Sequence, residues 1–282
     1  MLTYSKLGIN GRLGNQMFQF AALYAAAKRV GVDFFLYERT NPNVSNFETI
    51  DAVMQFDLKS AVNCKWIKDS EEYINLYKSS ITQRFLEPHF HYAPEIQNLK
   101  DNTDLDGYYQ SEKYFLDCKS DLCKLFSLAN KSEAFEKYQL LIKSTKLISV
   151  HIRRSDYTNR TNFHSDLASS YYYYKAITEL KMANPDAKFL VFSDDIEFCK
   201  EYFAKYFEEN PDDFEYVTGT TGPEDILLQS LCFGNIIANS SFSWWGAWLR
   251  QTPGPVVAPN AWFGPDGPKD IQDIYASGWT TL

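Results

Sequence analysis

The segment LISVHIRRSDY, residues 147–157, passes from an apolar run to a histidine, two adjacent arginines and an aspartate. A short β-branched run bounded by charge reads as a buried strand that ends where the charges begin. Side chains alternate faces along a strand, so His151 and Arg153 share one face and Ile152 and Arg154 the other. Adjacent guanidinium groups repel each other and are costly to leave unpaired near a core. The segment therefore asks for an anion. A guanidinium fork donates bidentate hydrogen bonds and stays charged at any working pH, which suits a diphosphate. The alternative is a structural ion-pair network, with one arginine held by a carboxylate such as Asp156 or Asp225.

The same design recurs downstream. Residues 171–182 carry apolar side chains at helical spacing, closed by Asn184-Pro185. Residues 188–192 (KFLVF) read as a strand that runs into Ser193-Asp194-Asp195, and 196–207 as an amphipathic helix. A short strand is expected at 216–217, a helix from Glu224-Asp225 through 233, and a strand at 235–238 that leads into Asn239-Ser240-Ser241-Phe242-Ser243. A helix over 244–250 and a strand over 255–258 close the series. Strands alternating with helices of this length form βαβ units and a parallel sheet. Such sheets bind ligands outside the carboxyl ends of their strands. Three polar clusters, HIRRSD, SDD and NSSFS, are thereby predicted to converge on one sheet edge.

Each cluster admits more than one use. Paired carboxylates in SDD suit a divalent cation bridged to a diphosphate, hydrogen bonds from a base edge or ribose, or the cap of the next helix. Arginines neutralise the same charge as a metal, so no metal is expected. NSSFS suits an anion at a helix start or a plain serine cap. Trp244, Trp245 and Trp248 behind it read as core. His89 and His91 in EPHFHY have the spacing of a metal pair but no third ligand nearby in sequence. They read as ordinary histidines.

Upstream, residues 2–9 form a weak strand that leads to Asn10-Gly11-Arg12-Leu13-Gly14-Asn15-Gln16 and an alanine-rich helix stopped by Gly31. This glycine loop is neither a dinucleotide fingerprint nor a P-loop. Its glycines let a backbone approach a ligand, with the neutral amides of Asn15 and Gln16 beside it. A strand is expected at 32–37 and a charged helix within 127–145, whereas 40–102 follows no clear period. The expected division is a first domain over 1–145 and a second over 146–282.

The bulk composition narrows the class. The 282 residues are 45% apolar and 23% charged, enough for a sizeable core. A net charge of −8 argues against nucleic acid as a partner. Aromatics at 16% suit stacking on bases or sugars as well as core filling. Five cysteines without a C-x-x-C pattern imply reduced thiols. No apolar run is long enough to span a bilayer, and MLTYSKLGING lacks a signal pattern. A cytoplasmic location is the expectation.

GRLGNQMFQFA (11–21), HIRRSDY (151–157), FSDD (192–195) and IIANSSFSWWGAWL (236–249) together resemble the α-1,2-fucosyltransferases of glycosyltransferase family 11. The likeness spans both halves in order, and Asn10-Gly11-Arg12 departs from it where a glycine pair is frequent. It implies an α/β, GT-B-like fold with two Rossmann-like domains facing across a cleft, the first on the acceptor side and the second binding the donor. It also implies inverting transfer of L-fucose from GDP-β-L-fucose to O2 of a terminal β-galactose, in an O-antigen, lipopolysaccharide or lactose-like acceptor, without metal or other cofactor. By the same resemblance Arg153 and Asn15 are catalytic. Gly14, Asn15, His151, Arg153, Arg154, Asp156, Asp194, Asn239, Ser240, Ser241 and Phe242 bind the donor, with Asp194 at the guanine and 240–242 around the diphosphate. A lipid-linked acceptor would add peripheral contact with the inner membrane. The rival readings are another GDP-sugar transferase or O-fucosyltransferase of this architecture, and a non-catalytic nucleotide-sugar binding protein.

Overall fold

The computed structural model describes residues 1–38, 53–154 and 162–282. Its contacts divide the chain into two compact units, Met1–Ala129 with Asp270–Ile274, and Asn130–Lys269 with Tyr275–Leu282.

The first unit contains β1 (Leu2–Thr3), α1 (Leu13–Val30), β2 (Phe34–Tyr37), β3 (Cys64–Ile67), α2 (Ser70–Ser80), β4 (Gln83–Leu86), β5 (Thr103–Asp106) and α3 (Lys119–Leu125). Its sheet is parallel, in the order β3-β2-β1-β5-β4. The strand order reverses between β1 and β5, the usual ligand position in such a sheet. Ala22, Ala25, Ala26 and Ala27 of α1 are all buried, and their small side chains let the helix lie close to neighbouring elements. Gly31 ends α1 in the left-handed region at φ 75°, as a helix-terminating glycine does.

The strand expected over 2–9 is shorter than the sequence suggests. It stops at Thr3, because the backbone turns at once: Leu7 N donates to Tyr4 O and Ile9 N to Lys6 O. The segment without a clear period holds β3, α2 and β4. Both strands flank the sheet and are largely half-buried or exposed, so they lack the apolar alternation of a covered strand.

The second unit contains α4 (Glu133–Ser144), β6 (Leu147–Ile152), α5 (Tyr172–Ala183), β7 (Lys188–Ser193), α6 (Ile196–Tyr206), β8 (Phe214–Tyr216), α7 (Gly222–Leu231), β9 (Gly234–Ile236), α8 (Ser241–Trp248), β10 (Val256–Ala258) and β11 (Thr280–Thr281). Its parallel sheet runs β11-β10-β9-β6-β7-β8. Every residue of β6 is buried, as a central parallel strand covered on both faces requires. Polar links fix its flank: Asn235 Nδ2 donates to Ser149 Oγ at 2.6 Å and to Gln229 O at 2.8 Å.

Helix α7 starts two residues before the expected acidic pair. Thr221 and Glu224 form a capping box, with Pro223 in the first turn. Gly246 of α8 sits against Gln229 of α7, where a Cβ would lie 2.7 Å from the Gln229 Cβ. The three adjacent tryptophan side chains of α8 are core, each at most 2% exposed. Among the described residues no helix is long and apolar enough to cross a membrane. None of the five cysteines forms a disulfide.

Candidate active site

Strands β9, β6 and β7 are neighbours, so their carboxyl ends bring NSS, HIRR and SDD to one edge of the second sheet. Ile152 is in register with Ser193, which places Arg153 and Asp194 one residue beyond the paired strands. There Arg153 Nη1 meets Asp194 Oδ2 at 2.9 Å, and Arg154 N donates to Asp194 Oδ1 at 2.9 Å. One carboxylate thus holds both the guanidinium and the backbone that follows it. The Arg154 guanidinium lies 3.8 Å from the centre of the Phe198 ring on α6, a cation–π contact.

The two carboxylates of SDD divide their work. Asp195 caps α6 by accepting from Phe198 N at 3.1 Å. Asp194 orients the arginines. Asp225, a carboxylate considered above for the arginines, instead accepts from Thr220 Oγ1 at 2.5 Å, and burial pushes its carboxyl up to about 7.

His151 is 4% exposed, and burial pushes its imidazole down to about 4, with the Asp194 charge acting in the opposite direction. It is neutral at working pH. Its ring lies 5.2 Å from that of Phe242, tilted by 31°. Its buried Nδ1 has no partner among the described residues. Tyr173 Oη fixes the strand here by donating to His151 O at 3.0 Å.

At the end of β9, Asn239 Nδ2 donates to Ser165 O and Trp262 O, both at 3.0 Å, which holds two loops in place. Ser240 caps α8, its hydroxyl accepting from Phe242 N at 3.4 Å. Ser241 opens the helix, half-buried with Phe242. His151, Arg153, Arg154, Asp194, Asn239, Ser240, Ser241 and Phe242 therefore share one edge of one sheet. Asp156 lies outside the described residues.

Gly14 and Asn15 belong to the first unit, in the first turn of α1. Gly11 precedes them at φ 90°, and a Cβ on it would lie 2.3 Å from Asn15 Nδ2. The glycine serves both to make the turn and to leave room for the amide. Gln16 Nε2 donates to Gly11 O at 3.3 Å and Gln19 Nε2 to Asn10 O at 2.8 Å, tying the loop to the helix. Asn15 Oδ1 accepts from Gln110 Nε2 at 2.6 Å, beyond the end of β5. Gln110 and Phe198 have no signal in sequence. Gln110 is 95 residues from its partner, and Phe198 reads as one apolar position of an amphipathic helix.

Beside the same end of the first sheet, Lys6 Nζ pairs with Asp106 at 2.8 Å. Asp104 accepts from Ser5 N, Ser5 Oγ and Tyr77 Oη. Glu87, its carboxyl raised by burial, accepts from Tyr108 N, Tyr109 N and Tyr114 Oη.

Comparison with known proteins identifies the family and the fold. The sequence pattern described as Glycosyl transferase family 11 matches residues 3–282. An alpha-1,2-colitosyltransferase of Escherichia coli is 34% identical over 264 residues, covering 90% of each chain. The O-antigen biosynthesis glycosyltransferase WbnK of Escherichia coli is 28% identical, over 90% of this chain and 93% of its own. Among solved structures, POFUT1 in complex with GDP-fucose superposes with a TM-score of 0.51 at 13% identity, over 91% of this chain and 97% of the other. That likeness shows a shared GT-B-like fold.

Proposed function

The chain belongs to glycosyl transferase family 11, and we propose that it transfers L-fucose from GDP-β-L-fucose to O2 of a terminal β-galactose. The observation that carries this reading is Arg153, held by Asp194 at the carboxyl end of the central strand, where a parallel sheet presents its ligand. In the reaction the bond from the sugar C1 to the β-phosphate oxygen breaks. A bond from C1 to the galactose O2 forms on the opposite face, the O2 proton passes to solvent or a base, and GDP leaves.

Negative charge grows on the departing β-phosphate. A guanidinium already oriented toward that edge stabilises it without reorganisation. Ser240, Ser241 and the start of α8 add hydroxyl and backbone N–H donors for the diphosphate. Neutral His151 beside Phe242 offers a flat surface and a nitrogen for base or ribose. Asn15, fixed by Gln110, orients rather than deprotonates, because an amide is not basic. With an arginine at the leaving group, transfer proceeds without a metal. Lipid-linked O-antigen precursors are a fitting acceptor class, which would bring the protein to the cytoplasmic face of a membrane.

The 34% identity to a colitosyltransferase favours one further reading, a donor carrying the 3-deoxy analogue of fucose. The two donors differ by one hydroxyl at C3. Purified protein is incubated with GDP-fucose or GDP-colitose, lactose or N-acetyllactosamine, and EDTA, and products are read by mass spectrometry and linkage analysis. Fucose on galactose O2 in the presence of EDTA is expected. Transfer from GDP-colitose alone replaces the donor assignment, and no transfer from either overturns the reading.

A further inference from the structure

The tripeptide His89-Phe90-His91 follows β4, and Asp270 reaches it from 179 residues beyond His91. Asp270 Oδ2 accepts from Phe90 N at 2.8 Å and from His91 N at 3.3 Å, and lies 3.1 Å from His91 Nδ1. Asp273 secures the same segment, accepting from Tyr92 N at 3.0 Å and pairing with Lys113 Nζ at 2.6 Å. The two imidazoles stack with centroids 3.5 Å apart and planes 5° from parallel. His89 Nδ1 is 3.0 Å from His91 O. A carbonyl oxygen only accepts, so that nitrogen carries a proton and Nε2 keeps its lone pair. One nitrogen from each ring and one Asp270 oxygen lie within 4.8 Å of one another.

We propose that His89, His91 and Asp270 bind a divalent transition-metal ion of the zinc class, which staples segment Asp270–Ile274 to the loop after β4. Two imidazoles and a carboxylate form a donor set that suits zinc, with a water in the fourth position. Magnesium and calcium take oxygen ligands, so this set selects against them. Bonds of about 2.0–2.1 Å to a tetrahedral ion place neighbouring ligand atoms about 3.3 Å apart. The 3.1 Å between His91 Nδ1 and Asp270 Oδ2 already matches that spacing. The ion takes the place of the proton between them, which moves to His91 Nε2, and a ring rotation of His89 closes the third contact. The carbonyl behind His89 Nδ1 is the kind of outer partner that orients a metal-bound histidine.

Every ligand belongs to the first unit, and none is shared with the arginine site of the second. The ion therefore acts on conformation, not on the transfer step. The test is titration of metal-stripped full-length protein with Co²⁺, followed by Zn²⁺. The expected result is a saturable visible d–d band of four-coordinate cobalt that Zn²⁺ abolishes. A Zn²⁺ excess of about 100-fold over Kd should raise Tm by roughly 5 °C.

His91→Ala and Asp270→Ala should remove the band. Because Asp270→Ala also strips partners from two backbone N–H groups, His89→Gln is the control that leaves those bonds intact, and it should weaken Co²⁺ binding at least about tenfold. Circular dichroism and transfer activity verify that each variant is folded. Absence of the band in the unaltered protein, or undiminished Co²⁺ binding by folded His89→Gln or His91→Ala, overturns the proposal.

Discussion

The strand ends at the two points where the sheets reverse order are built from opposite materials. In the second unit the end of β6 presents a guanidinium, Arg153, paired with the Asp194 carboxylate, with helix-start donors on the neighbouring strand. In the first unit the group set at the loop after β1 is an amide, Asn15, steadied by another amide, Gln110. The charges near it face one another, as Lys6 and Asp106 do. A charged fork suits a diphosphate, whereas paired amides suit uncharged hydroxyls and the geometry of a reacting bond. On the function proposed above, the same β-loop-α plan yields an anion site in one unit and a neutral orienting site in the other.

The strongest way to break this contrast is at Arg153. Arg153→Ala should lower turnover by roughly 10²-fold or more, because a donor preorganised toward developing charge is lost. Circular dichroism should remain that of the unaltered protein. Arg153→Lys should recover only a small part of the rate, since an ammonium is a point charge without the planar fork. Near-normal turnover in either folded variant removes Arg153 from the leaving-group role.

Substitutions at the carboxylate and the amides should have smaller, separable effects. Asp194→Asn keeps an acceptor for Arg154 N but removes the negative charge paired with the Arg153 guanidinium. A turnover loss of about tenfold is expected, together with weaker GDP binding by calorimetry. Asn15→Ala should also lower kcat about tenfold while leaving the Kd for GDP unchanged, and Gln110→Ala should shift kcat the same way by less. A weakened GDP Kd in Asn15→Ala would place that amide on the diphosphate and erase the distinction between the two ends.

The sequence foretells the two ends unequally, and the reason is physical. Strands β6, β7 and β9 are covered on both faces, so each reads as an apolar run that stops at a polar cluster, and three such stops identify one edge. Pairing across that edge is less legible. Nothing local distinguishes Asp194, which holds Arg153, from Asp195, which caps α6, because the choice depends on the register of β6 with β7. In the first unit, Leu7 and Ile9 mimic strand alternation, although Leu7 is buried in a turn and Ile9 is exposed. Strands β3 and β4 carry polar residues on exposed positions, and the partners of Asn15 and His91 lie 95 and 179 residues away. Local pattern therefore reveals buried strands and their ends, while contacts that cross the chain stay hidden until it folds.

The remaining effects concern pH and stability, where two groups of the second unit pull in opposite directions. His151 has a folded-state value of about 4, below the ordinary 6.5, so its contribution to stability is present above pH 6.5 and is lost as pH falls toward 4. On linkage grounds the swing is on the order of 2–3 kcal/mol. Asp225 is raised from 3.8 to about 7, so its contribution is present at low pH and is lost as pH rises through 7. Its side chain is half-buried, which limits that swing to on the order of 1–2 kcal/mol. Calorimetric Tm recorded from pH 4.5 to 8 should separate them by slope. Asp225→Asn keeps an acceptor for Thr220, abolishes the loss toward neutrality and should raise Tm at pH 8, whereas His151→Gln should flatten the acid limb. If Asp225→Asn lowers Tm at pH 8, the carboxylate is ionised and well solvated in the fold. The start of α7 would then resemble the charged strand ends rather than the core behind them.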